Sequence, residues 1–130
     1  PTLKNDFNTA VDRNLVSLAQ QAEQAIQLMD SLAEKILSEV MLEQQPSVCR
    51  LRRHALATWP NDVIRHVMSV LWIQQDWPRQ KMNFRLYSRL AELTCSPDTI
   101  REDFPGNVHA WCSDEIVRLT RNDVADRSPT

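Results

Sequence analysis

Apolar residues recur at Val11, Leu15, Leu18, Ala22, Ala25, Met29, Leu32 and Ile36, at alternating steps of four and three. That spacing keeps one face of an α-helix apolar over five turns and more. It predicts a single helix from Thr9 to about Gln44, roughly 50 Å long, which Pro46 forces to end. Asn8 reads as its N-cap, and Asp12 falls in the first turn, where a carboxylate suits the helix dipole. A second apolar row, Ala19, Ile26, Ala33 and Val40, runs beside the first. Together the rows are wider than a two-stranded coiled-coil seam, so the expectation is a helix laid on a globular body. A homodimer built on the heptad face is the alternative.

The rest of the chain reads as shorter elements. Ser47 to Leu51 is β-capable. Arg52 to Trp59 suits one or two helical turns that Pro60 stops. Asn61-Asp62 opens a helix to about Gln75, apolar at Val63, Ile64, Val67, Met68, Val70, Leu71, Trp72 and Ile73, which is the expected central helix. Trp77-Pro78 is a turn. A further helix covers about Asn83 to Leu93, with Phe84, Tyr87, Leu90, Ala91 and Leu93 inward. Cys95 to Asp103 reads as loop, Phe104 to Asn107 as a turn, and Val108–Trp111 with Ile116–Thr120 as a hairpin. The predicted fold class is therefore mainly α: a long N-terminal helix packed on a small helical bundle, with a short C-terminal β-hairpin. One domain is expected over residues 1–121, with a polar tail at 122–130, as part of a larger intracellular, cytoplasmic protein.

Composition removes several functions. Gly106 is the one glycine, and phosphate-cradling loops need glycines for close backbone approach and positive φ. No nucleotide-phosphate loop can be written, and neither catalysis nor a cofactor is expected from this chain. Val70-Leu71-Trp72-Ile73 is the longest apolar run in its middle, far short of the roughly 20 residues of a membrane span. Cys49, Cys95 and Cys112 are odd in number and show no C-x-x-C spacing, so they read as reduced thiols and not as a metal site. Asp62 and His66, four apart on one helix, read as a structural pair.

Charge is unevenly distributed. Residues 1–49 carry three basic and seven acidic side chains, residues 50–89 eight basic and two acidic, residues 90–130 four basic and eight acidic. The middle third is a basic island of Arg50, Arg52, Arg53, Arg65, Arg79, Lys81, Arg85 and Arg89. Clustered cations displace counterions from phosphates, and the arginine fork matches phosphate geometry, so the island is the candidate RNA-binding surface. Arg79, Lys81, Arg85 and Arg89 form its sharpest part, with Arg85 and Arg89 four apart on one helix face. Of the four tryptophans, Trp59 and Trp72 read as core, while Trp77 and Trp111 are open to either a core or a base-stacking role.

The pieces in order resemble the region that follows the ATPase domain of bacterial tRNA(Ile)-lysidine synthetases. Pro1-Thr2-Leu3, Asp6-Phe7-Asn8-Thr9-Ala10-Val11 and Leu18-Ala19-Gln20-Gln21-Ala22 are similar to that family's arginine-rich "R-x-x-L-L-P-x-L" end, its "F-N-P-x-V", with Thr9 for the proline, and its "L-x-R-L-A-E-x-A" helix. Leu56 to Val67 is similar to "L-x-x-L-P-x-x-x-x-R-x-V-L-R". Gln75-Asp76-Trp77 resembles "Q-G-W", and Phe104-Pro105-Gly106-Asn107-Val108 resembles "L-P-G-G-V". Each motif is short; their order covers about residues 1–120. The resemblance implies a parent that ligates lysine to the wobble cytidine of a tRNA(Ile) using ATP and Mg. The Ser-Gly-Gly-x-Asp-Ser loop of its PP-loop domain would lie upstream of Pro1. This region would then hold tRNA against that catalytic domain. The acidic flanks depart from a uniformly basic RNA binder and confine any RNA surface to part of the domain.

Overall fold

In the computed structural model, which describes residues 2–96 and 100–122 and side chains over 13–96 and 101–122, the chain is an α+β fold. The expectation of a mainly α bundle with one short hairpin is overturned by a five-stranded antiparallel sheet. Helix α1 spans Thr2–Val40, and strands β1 (Met41–Gln45) and β2 (Val48–Arg52) follow around a Pro46-Ser47 turn. Helices α2 (Arg53–Ala57), α3 (Asn61–Gln74) and α4 (Phe84–Cys95) come next, then β3 (Ile100–Phe104), β4 (Val108–Cys112) and β5 (Ile116–Arg121). The strand order β1-β2-β5-β4-β3 places the early hairpin beside the late one.

The differences from the sequence reading have local causes. The long helix stops at Val40, not Gln44, and Asn8 lies inside it. Glu43, Gln44 and Gln45 are good helix formers, but β1 gains a partner in register, Glu43 opposite Arg50 and Gln45 opposite Val48. The turn beyond it is also held by the residues that follow α3: Gln75 Nε2 donates to Gln45 O at 2.6 Å, and Trp77 Nε1 donates to Pro46 O at 2.9 Å. Strand β3, expected as loop, has the charged sequence Ile-Arg-Glu-Asp-Phe, which has poor strand propensity and is paired throughout with β4. Both missed strands are sheet edges, where charge is the usual guard against aggregation.

The helices cover one face of the sheet. Cys49, Leu51, Ala110, Cys112, Val117 and Leu119 point from it into a core shared with Ile64, Val67, Met68 and Leu71 of α3 and Leu90 and Leu93 of α4. Trp72 is fully buried at the centre, with edge-on contacts to Trp77 at 5.1 Å, Tyr87 at 5.8 Å and Phe104 at 6.3 Å between ring centroids. It thereby joins α3, the α3–α4 connection, α4 and β3. Phe84, expected inward, is 67 % exposed. Asn83 caps α4, its side chain accepting from Leu86 N–H.

Helix α1 divides into two halves. Ala33, Ile36, Leu37 and Val40 are buried and pack on the body, α3 above all. Residues 13–28 are exposed, including Leu15, Leu18, Ile26 and Leu28. No helix among the described residues is long and apolar enough to cross a membrane. The tail over 123–130 lies outside the described residues.

Three described residues have left-handed backbone: Asp76 (φ 56°) just past α3, and Gly106 (φ 85°) and Asn107 (φ 61°) in the β3–β4 turn. A Cβ built on Gly106 would meet Pro78 Cγ at 2.9 Å. Gly106→Ala should therefore destabilise the fold by about 1–3 kcal/mol. Asp76→Gly, which relieves strain without adding an atom, should stabilise it by up to about 1 kcal/mol. Urea titration of the two variants checks both signs.

Candidate nucleic-acid interface

The basic island does not stay together in space. It divides between the outer face of the sheet and the region from the α3–α4 connection into α4, and several of its members are committed to the fold.

Arg53 is one of these. It is 6 % exposed at the start of α2. Its Nε donates to Asp114 O at 2.7 Å and its Nη1 to Thr94 O at 2.9 Å, with the Asp114 carboxylate 3.8 Å from Nη2. Its backbone N–H donates to Glu115 O. The residue thus fastens the β2–α2 corner to the β4–β5 turn and to the end of α4. Arg89 is engaged by two carboxylates, Glu102 at 2.6 Å and Glu92 at 3.1 Å, and these bonds push its pKa further up. Arg65 donates to Asp62 at 2.9 Å and lies 4.1 Å from the ring centroid of Phe84. Asp62 is therefore not the partner of His66; His66 Nε2 meets Asp30 Oδ1 of α1 at 2.7 Å.

Arg79, Lys81 and Arg85 are exposed and make no ion pair among the described residues. Beside Arg85, a concavity of about 720 Å³ is lined by Phe84, Arg85, Ser88, Arg89 and Glu92 among others. Arg85 and Arg89 do not act as a free pair: the carboxylates hold Arg89, while Arg85 faces solvent.

The second group follows from strand alternation. Because successive side chains point to opposite faces, Cys49 and Leu51 turn into the core while Arg50 and Arg52 turn outward. In β5, Val117 and Leu119 turn inward and Arg118 outward; in β4, Trp111 is outward, half-buried. Register then aligns Glu43, Arg50, Arg118, Trp111 and Arg101 in one row across all five strands. The Arg101 and Arg118 guanidinium carbons, one from each neighbouring strand, lie 5.2 Å from the Trp111 ring centroid. Glu43 approaches Arg50 at 3.7 Å. In the next row His109 Nδ1 meets Asp103 Oδ1 at 2.6 Å, a bond that lowers the Asp103 pKa, with Arg101 also 3.5 Å away. Arg52 and Arg118 have no carboxylate partner among the described residues.

The sequence reading missed Arg101, Trp111 and Arg118 as a group because the last third is net acidic. The signal was present in the alternation of Ile116-Val117-Arg118-Leu119, which puts Arg118 on the face opposite the core. Trp77, left open in the sequence, is core at 2 % exposure, while Trp59 packs partly buried against the core.

Among the described residues no group of three or more His, Cys, Asp or Glu is placed to hold an ion. Burial pushes the Cys49 thiol up to about 12, with Glu43 adding to the shift, and burial also raises Cys112, so burial disfavours the thiolate at both. All three cysteines are free. No protein-family model and no curated protein matches the chain.

Arg53→Met should lower stability by about 3 kcal/mol, since the carbonyls of Asp114 and Thr94, the second of them buried, lose a charged donor. Denaturant titration of the variant beside the unsubstituted protein checks the size of the loss.

Proposed function

We propose that this chain is the tRNA-binding domain of a tRNA(Ile)-lysidine synthetase, the lysine-ligating chemistry belonging to an upstream PP-loop domain that uses ATP and Mg. The observation that carries the reading is where the left-handed residues fall. The "Q-G-W" motif has its glycine at Asp76, and "L-P-G-G-V" has its two at Gly106 and Asn107. These are the three described residues with positive φ. Glycine is the residue that such backbone favours, and Asp and Asn are its usual replacements. The two motifs thus match a backbone requirement, beyond their letters.

Within this reading, the cations without carboxylate partners are the ones that meet phosphate. Arg79, Lys81 and Arg85 form one such surface, and the sheet face carries another with Arg52 and Arg118. Arg53 and Arg89 contribute to the fold and not to the RNA interface.

Replacing Arg79, Lys81 and Arg85 together by Ala in the full-length protein should weaken tRNA binding. It should also reduce the slope of log affinity against log salt by about 2–3, close to one for each phosphate that is no longer neutralised. An unchanged slope would remove this surface from the interface.

A second reading, a helical interaction or dimerisation module, is favoured by α1. Over residues 13–28 only Arg13 and Glu23 are charged, and Leu15, Leu18, Ile26 and Leu28 are exposed on it. Sedimentation at rising concentration tests it: self-association that Leu18→Glu abolishes supports the module, and a monomer throughout leaves it without support.

A further inference from the structure

The outer sheet face places two arginines directly opposite each other, Arg50 on β2 and Arg118 on β5. Like charges in that position are destabilising. Only Arg50 has a carboxylate nearby, Glu43, and at 3.7 Å that is a loose contact. Arg118 instead lies beside the next residue in the row, Trp111, whose other flank is Arg101. Among the described residues no helix packs over this face, although Val48, Trp111 and Ile116 are all half-exposed apolar groups on it. Between them is a concavity of about 610 Å³ bounded by Glu43, Val48, Arg50, Trp111, Ile116 and Arg118. That is within the range of about 300–1,000 Å³ typical of small-ligand sites.

Such a hollow is lined by an aromatic ring, apolar side chains, two cations and one carboxylate, Glu43. The excess positive charge calls for an anion, and the indole calls for a flat, π-faced group next to that anion. A nucleotide has both. In a duplex both faces of a base are covered by its neighbours, so only an unpaired base can offer one to Trp111. An acidic peptide would satisfy the arginines but leave the indole without a partner.

We propose that the concavity beside Trp111 seats one unpaired nucleobase of an RNA ligand, stacked on the indole, with its adjoining phosphate on Arg118. The proposal rests on the RNA-binding reading above and adds to it a single-stranded element that the Arg79–Arg85 surface does not require. The guanidinium of Arg118, exposed and without a carboxylate partner among the described residues, turns from over the Trp111 ring to the phosphate as the base takes its place. Arg101, tied to Asp103 at 3.5 Å, stays on the far side of Trp111. Arg53 and the Trp72 cluster take no part, since both lie on the other side of the sheet.

The test measures binding of a short single-stranded RNA and of an RNA duplex of equal length to the full-length protein and to Trp111→Leu, Trp111→Tyr and Arg118→Ala variants. Thermal melts establish that each variant is folded, Leu keeping apolar bulk on the sheet and Tyr keeping a ring. Trp111→Leu should weaken single-strand binding by roughly tenfold or more, as removal of one base stack does, while duplex binding changes less than about twofold. Trp111→Tyr should restore most of the affinity, and Arg118→Ala should lower the salt slope for the single strand. Unchanged single-strand affinity in Trp111→Leu overturns the seat, as does an equal weakening for strand and duplex or undiminished binding of poly-glutamate at the same surface. If the Arg79/Lys81/Arg85 variant weakens RNA binding while Trp111→Leu does not, the RNA reading stands and the seat falls. If neither RNA binds the wild-type protein, both fall.

Discussion

The antiparallel pairing of β2 with β5 is the contact on which the rest of the architecture depends. Five consecutive residue pairs, Val48 with Thr120 through Arg52 with Ile116, join an early hairpin to a late one. Without them there would be a two-stranded hairpin, marginal in water by itself, and a separate three-stranded sheet. With them there is one sheet broad enough to bury α3 and α4 on a single face. Arg53, the next residue along the chain, secures the corner by reaching both the β4–β5 turn and the end of α4. The same pairing brings Arg50 alongside Arg118, so the joint that completes the core also assembles the outer cationic row. Structure and candidate site share one cause.

Trp72 is the complementary constraint from the helical side. Its ring is edge-on to three other aromatics contributed by three separate parts of the chain. Each edge-on pair contributes about 0.5–1.5 kcal/mol beyond burial. The geometry ties the connection after α3 to the sheet edge at Phe104. That connection carries Arg79 and Lys81, so the position of one cationic surface relative to the other is fixed through a buried indole.

Local pattern made much of this legible. The helices α3 and α4 lie close to where apolar spacing put them, and so do β2, β4 and β5. The two edge strands were not legible, because Met41–Gln45 continues helix-forming composition and Ile100–Phe104 is dense in charge. What makes them strands is a neighbour supplied from elsewhere in the chain. The candidate site was half legible for the same reason. Clustering along the sequence found Arg50 and Arg52, but it also swept in Arg53 and Arg89, whose partners Thr94, Asp114 and Glu102 are distant in sequence. Arg101, Trp111 and Arg118 become a group only through cross-strand register. Counting charges by thirds averaged them with acidic residues, most of them placed elsewhere, such as Glu92 and Glu102 beside Arg89 and Asp114 in the β4–β5 turn.

Helix α1 is continuous in backbone yet divided in its support. Amides near Ala33–Val40 share the core's protection, because opening them exposes Ile36, Leu37 and Val40. Over residues 13–28 the hydrogen bonds rest on the helix alone, and a helical segment of that length is marginal in water by itself. Local opening free energies should then fall from near the global value at the C-terminal end to near zero along the arm. Amide hydrogen exchange would see a steep gradient within a single secondary-structure element. Any surface that covers Leu15, Leu18 and Ile26 would level it, so exchange along this one helix doubles as a reporter of whether the arm is engaged.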